Sequence, residues 1–184
     1  MNDGKAKWRR LAGWRALTLA LSLVPVLHIS PAATVSAGEL SLLINGKAIH
    51  MNVPPDQTLN ENNWGGGLQY DFPRHVSGWL PFLTASGFKD SLKNPSYYAG
   101  GGFLRRLYRS GGRENFYLDA GLVGFLMVRE DYKDMRPFPG ILPVVSIGAD
   151  RLALNITYIP DVRPKMVPLW FFQLKLNLSP GDHH

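Results

Sequence analysis

Apolar and polar side chains alternate residue by residue through several stretches of this chain. A period of two is the mark of a strand with two unlike faces. Between positions 63 and 72, Trp64, Leu68, Tyr70 and Phe72 fall on one face, and Asn63, Gln69 and Asp71 on the other together with Gly65 and Gly67. Leu152, Leu154, Ile156 and Tyr158 alternate with Arg151, Ala153, Asn155 and Thr157. Near the end, Trp170, Phe172, Leu174, Leu176 and Leu178 oppose Leu169, Phe171, Gln173, Lys175 and Asn177. The pattern predicts eight strands, over 40–51, 63–72, 79–89, 97–108, 115–128, 141–149, 151–159 and 167–178. Most are about 9–12 residues long, the length that a tilted strand needs to cross a bilayer. Breaks with Gly, Pro, Asn or Asp separate them.

The first 37 residues read differently. Lys5, Lys7, Arg9, Arg10 and Arg15 precede an apolar run from Ala16 to Ile29, and Val35-Ser36-Ala37 forms a small-residue cleavage site. That is the anatomy of a secretory signal, and the run, broken by Pro25 and His28, falls short of the roughly 20 residues of a spanning helix. The expected organisation is a signal peptide over 1–37 and a single domain over 38–184. The formal charge of +6 comes mostly from the leader, since residues 38–184 carry 15 basic and 13 acidic side chains. Nothing in that balance argues for nucleic acid. With no cysteine and no clustered histidine, neither disulfides nor a structural zinc site is expected, and no metal or cofactor is called for.

A leader, an even strand count and aromatic-rich apolar faces together describe an all-β, eight-stranded antiparallel up-and-down outer-membrane barrel. A secreted barrel of lipocalin type would have the same size but a charged exterior, and the apolar faces argue against it. A monomer is expected. If the amino terminus is periplasmic, the connections 52–62, 90–96, 129–140 and 160–166 are extracellular, and the shorter 73–78, 109–114 and 148–151 turns are periplasmic.

Strand direction and face together predict the lumen. Tyr117, Asp119, Gly121, Val123, Phe125 and Met127 would point inward on the fifth strand, and Leu169, Phe171, Gln173, Lys175 and Asn177 on the eighth. Gly65 and Gly67 with Gln69 and Asp71, and Gly100 and Gly102 with Leu104 and Arg106, complete the pattern. The outer half of the lumen is thus expected to be apolar and widened by glycine, the inner half charged. Eight strands are too few for an aqueous pore, but an apolar outer half could hold one hydrocarbon chain. A dry, packed interior with glycine serving strand curvature is the alternative.

Three groups able to do chemistry fall at one rim: His50 at the end of the first segment, and Asp90 and Ser91 at the end of the third. Histidine is the usual general base near neutral pH, and a serine hydroxyl needs such a base to act as nucleophile. Asp-Ser also begins turns for purely structural reasons. Arg129, with Lys133 and Arg136 nearby, could meet lipid phosphate or simply be solvated.

Four runs carry a resemblance: Trp64-Gly65-Gly66-Gly67, Phe88-Lys89-Asp90-Ser91, the stretch from Pro137 to Gly148, and Thr157-Tyr158-Ile159-Pro160. In order and spacing they resemble the lipid A palmitoyltransferase (PagP) family of Gram-negative outer membranes, over about residues 50–178. The resemblance implies a barrel that moves a palmitoyl chain from a phospholipid donor to lipid A, with its active site facing the outer leaflet. It implies catalytic roles for His50, Asp90 and Ser91 and a place for Gly102 at the floor of the acyl pocket. The rest of that pocket would be lined by Gly65, Gly67, Gly100, Val123, Phe125, Met127, Leu169 and Phe171. It also implies that Pro143 and Pro160 weaken strand pairing so that lipid passes sideways, since proline removes a ladder donor. Asn63 stands where the family has a proline before the tryptophan. Two other functions remain open on the same scaffold: a lipid hydrolase using water as acceptor, and a non-catalytic structural or lipid-binding barrel.

Overall fold

A computed structural model describes residues 38–73, 78–111, 115–130, 135–149, 151–161 and 167–179. The expected leader, residues 1–37, lies outside them, as does Lys133. Eight strands form: β1 (Glu39–His50), β2 (Asn62–Asp71), β3 (Trp79–Lys89), β4 (Pro95–Arg109), β5 (Tyr117–Arg129), β6 (Phe138–Gly148), β7 (Leu152–Ile159) and β8 (Leu169–Asn177). Each pairs antiparallel with its neighbours in sequence, and β1 pairs with β8, so the sheet closes. Closure removes the sheet edges, which a lipid solvent demands because it offers no hydrogen bonds to a bare strand. Among the described residues no helix is long and apolar enough to cross a membrane, so any crossing is made by strands.

The alternation resolves into an inside and an outside. Leu68, Leu83, Phe103, Leu122, Leu126 and Ile141 point outward, with Ile141 73% exposed and Trp64 66%. Large apolar side chains so exposed, on nearly every strand, have their solvent in a hydrocarbon layer rather than in water. Inward lie Ser41, Leu43, Asn45, Gln69, Phe82, Thr84, Leu104, Asp119, Val123, Val144, Asn155, Gln173 and Lys175, all buried. For brevity, the barrel end carrying His50 is called upper and the end carrying Glu39 lower.

The lower half is tied by charge. Arg106 on β4 pairs with Asp119 on β5 through two hydrogen bonds, and Lys175 on β8 pairs with Asp71 on β2, reaching over the β1 strand between them. The Arg106 guanidinium also stacks on Tyr117, 4.4 Å from its ring centre. Such pairs persist in a low-dielectric interior because removing either partner strands the other's charge. At mid-height a polar network occupies one wall: Asn45 donates to Ser86 at 2.7 Å, and Gln173 donates to Asn45 at 2.6 Å and to Tyr98 at 3.1 Å. An apolar cluster of Phe82, Leu104, Val123 and Val144, contributed by β3 to β6, packs with Leu80, Phe125 and Leu142.

The seams are uneven. The β5–β6 ladder runs unbroken from Tyr117↔Gly148 to Met127↔Phe138. The β6–β7 ladder stops at Val144↔Thr157, so Pro143 and Leu142 are not laddered to Tyr158 and Ile159. Both β7 residues still pair with β8, at Trp170 and Leu169. The sheet is therefore closed below and split above, along one seam, starting at Pro143.

Candidate functional site

The upper rim assembles around a register shift. On β1, Ser41, Leu43 and Asn45 face the lumen, so strict alternation would turn His50 outward. Between Asn45 and Ala48 the pairing with β8 slips, with Asn45 opposite Gln173 and Ala48 opposite Phe171. Two residues of β1, Gly46 and Lys47, thus span a single residue of β8, Phe172. A bulge of this kind resets the phase of the strand and re-aims the side chains beyond it. Past the bulge Ala48 is buried and His50 turns inward, its Nε2 2.7 Å from Ser91 Oγ.

Ser91 is presented by a tight connection from β3 to β4. Asp90 N–H donates to Asn94 O at 2.9 Å, and Lys93 N–H to Asp90 O at 3.0 Å, with Lys93 at φ 66°. The Asp90 side chain, 4% exposed, is committed to this turn. Its Oδ1 accepts the N–H groups of Leu92 and Asn94, both at 2.9 Å, and its Oδ2 accepts Ser96 Oγ–H at 3.2 Å and lies 3.3 Å from Arg129 Nη2. Asp90 makes no bond to His50, and His50 Nδ1 is buried without a partner. The three residues thus come together as a His–Ser pair on a turn braced by aspartate, and not as a relay with the carboxylate behind the imidazole. Arg129 joins the Asp90 brace.

The connection between β1 and β2 adds a clamp. Asn60 N–H donates to Ser91 O at 2.8 Å, and its side-chain Nδ2 donates to Asp90 O at 3.0 Å. The Asp90–Ser91 unit is therefore held from both sides. Glu61 is next along the chain, its backbone oxygen accepting Ala48 N–H at 2.7 Å. The Lys47 ammonium, 3.1 Å away, bonds the Glu61 side chain and holds its carboxyl below the usual range.

Beneath this rim is a mainly apolar cavity of about 130 Å³. Val123, Phe125, Met127, Leu169, Phe171 and Arg129 line it, and so do Asp90 and Ser91. Phe82, Phe88, Tyr98, Leu142, Ile159 and Gln173 also line it. Phe88 and Phe171 are in ring contact, with centroids 5.5 Å apart, as are Tyr98 and Phe125 at 5.9 Å.

The expected glycine widening is corrected. Gly65, Gly67, Gly100 and Gly102 face inward, but the space a Cβ would need is already filled. At Gly65 it lies 2.7 Å from Phe88 Cβ, at Gly67 2.5 Å from Ser86 Cβ, at Gly100 2.7 Å from Phe125 Cβ and at Gly102 2.7 Å from Phe82 Cζ. These glycines let neighbouring strands crowd inward in a narrow barrel, so they set the packing of the wall and do not enlarge the bore. Pro143 and Pro160 are outside the lining of this cavity and are exposed at the split β6–β7 seam.

Phe82, Phe88 and Asn60 were missed by sequence reasoning. Phe82, Thr84, Ser86 and Phe88 share one phase of β3 that leads on to Asp90, so the period that placed Asp90 at the rim also placed both phenylalanines in the lumen. Asn60 carried no periodic signal. Among the described residues, no three or more His, Cys, Asp or Glu side chains gather as a metal site would require.

Residues 32–173 match the family described as "Antimicrobial peptide resistance and lipid A acylation protein PagP". The chain belongs to the PagP family. It is 38% identical over 104 residues to the lipid A acyltransferase PagP of Bordetella pertussis (strain Tohama I), covering 56% of this chain and 55% of that one. It is 33% identical over 101 residues to the lipid A palmitoyltransferase PagP of Escherichia coli (strain K12), covering 55% and 53%. The chain thus spans about half the length of the curated relatives it matches. Among solved structures, the outer membrane protein Ail of Yersinia pestis in a phospholipid nanodisc aligns with 76% of this chain and 99% of its own, at a TM-score of 0.40 and 14% identity.

Proposed function

We propose that this PagP-family barrel is an outer-membrane acyltransferase that moves a long acyl chain from a phospholipid to lipid A, its site facing the outer leaflet. The observation that carries the reading is the 2.7 Å contact of His50 Nε2 with Ser91 Oγ beside the mouth of an apolar cavity. Acyl transfer needs a base at a hydroxyl, a place for the hydrocarbon and a route from the bilayer. The rim pair, the cavity and the β6–β7 split beginning at Pro143 supply them in turn. The relatives' printed activities, lipid A acyltransferase and palmitoyltransferase, concern the same chemistry.

In this reading the donor's acyl chain passes through the split seam into the lumen, leaving its ester carbonyl at the rim. His50 Nε2 takes the proton of Ser91 Oγ as the Oγ–carbon bond forms and the ester carbon–oxygen bond breaks. The proton passes to the departing lysophospholipid oxygen. A lipid A hydroxyl then attacks the acyl-serine, giving its proton to His50, which returns it to Ser91. Asp90 and Arg129 hold the turn rather than exchange protons. An acyl ester trapped on the Ser91 peptide supports this route. Turnover without it would make Ser91 a hydrogen-bond donor to a direct attack by lipid A.

The test is mass spectrometry of lipid A from cells expressing the full chain, His50→Ala and Ser91→Ala. An added acyl mass that disappears in both variants, with all three barrels folded, is the expected result. A folded wild type that leaves lipid A unchanged removes the transferase reading. Free fatty acid in its place would point to a hydrolase, and its absence to a lipid-binding barrel.

A further inference from the structure

One aromatic ring in the lining of the upper cavity stands against Gly102. Phe82 sits inward on β3 directly opposite Gly102 on β4 and is 4% exposed. A Cβ on Gly102 would lie 2.7 Å from Phe82 Cζ and 2.8 Å from Cε1, so the room left by the glycine is taken by the phenyl group. Leu104, Val123 and Val144 pack with it in one layer. Leu104 borders both the cavity above and a second chamber of about 360 Å³ below, so the partition between them is thin. The next inward residue on β4 beneath it is Arg106, bound to Asp119.

We propose that the ring of Phe82, and not Gly102, is the stop at the bottom of the acyl-binding lumen, and that it makes this barrel select an acyl chain shorter than palmitoyl. The assignment rests on the acyltransferase reading above. The upper cavity of about 130 Å³ is well under the roughly 300–1,000 Å³ of pockets that bury a drug-sized ligand. A chain end descending the lumen meets the phenyl ring first, then a charged layer that cannot solvate a methyl group. An apolar pocket distinguishes one methylene by about 10–200-fold, so a fixed ring gives a sharp length preference. Gly102 is a poor probe of this, because a side chain there also collides with the Leu122 carbonyl of the adjacent strand.

The experiment compares wild type, Phe82→Leu and Phe82→Ala, each expressed as the full chain in a Gram-negative outer membrane. Folding is read from the heat-dependent shift in electrophoretic mobility, and the added acyl mass from lipid A. Phe82→Leu keeps the partition partly filled and serves if the alanine variant does not fold. The expected result is a wild-type acyl chain shorter than palmitoyl, moving to longer chains in Phe82→Leu and further in Phe82→Ala. A wild type that adds palmitoyl, or an acyl length unchanged in folded Phe82 variants, overturns this assignment while leaving the transferase reading intact. No acyl product from a folded wild type overturns both.

Discussion

The two halves of the lumen solve opposite problems with the same strands. Below, Arg106–Asp119 and Lys175–Asp71 cross-link four of the eight strands. Above, the β6–β7 ladder has stopped, the cavity is walled mainly by apolar side chains, and a histidine with an unpartnered nitrogen faces a serine. A buried imidazole nitrogen without a partner and a ladder that stops short both cost stability. The lower half is where the barrel gains the rigidity to tolerate them. The lesson is a division of labour along the barrel axis: the lower half should respond to mutation in stability and the upper half in chemistry.

Ser91→Ala and His50→Ala give the largest expected effect. Loss of a general base or its nucleophile should lower acyl transfer by about 10²–10⁴-fold, with little change in unfolding. Rates are read on refolded barrels with defined phospholipid donor, and stability by urea titration. Equal losses of rate and stability would break the comparison. Asp119→Ala is the mirror experiment. It strands the Arg106 guanidinium, whose side chain is only 20% exposed, and breaking a buried pair costs about 3–5 kcal/mol. Transfer per folded molecule should stay near wild type. A rate collapse in folded Asp119→Ala would show that the lower half takes part in the chemistry.

Much of this division is legible in the sequence, for a physical reason. Period-two alternation reports directly which side of a closed sheet a residue faces, so the chain's own pattern is enough to turn Asp119, Lys175, Arg106, Val123, Phe125 and Phe171 inward. The pattern fails where alternation is interrupted. Nothing in Asn45-Gly46-Lys47-Ala48 announces the slip against β8 that turns His50 inward. Alternation also reports facing and not filling. Gly102 faces the lumen as expected, but only the three-dimensional neighbourhood shows that Phe82 occupies its space. The role of Asp90 obeys the same logic. Resemblance implies a catalytic role, and its contacts, with two backbone N–H groups, Ser96 and Arg129, become visible only in three dimensions.

Asp90 therefore separates charge from geometry inside the upper half. Asp90→Asn keeps one carbonyl oxygen able to accept the Leu92 and Asn94 N–H groups, while Asp90→Ala keeps none. If bracing is its role, asparagine should retain most of the activity that alanine loses, with alanine down by about 10²-fold, the scale of a reacting group displaced by about 1 Å. Equal loss in both variants would indicate that the charge itself is used, through Arg129 or through the histidine.

Asn60→Ala is the mildest of these changes and the most discriminating within the rim. It deletes the side-chain bond to Asp90 O but leaves the Asn60 N–H on Ser91 O, so the clamp is loosened and not removed. A neutral hydrogen bond contributes about 1 kcal/mol, and a loss of that order at the reacting geometry corresponds to several-fold in rate. The expected signature is kcat lowered by about fivefold at constant KM for phospholipid, with stability near wild type. Because Asn60 touches neither cavity nor seam, donor binding should not sense it. A rise in KM with kcat unchanged would mean that the β1–β2 connection guards the route of the lipid and does not hold the serine, and the upper half would then be a door as much as a catalytic site.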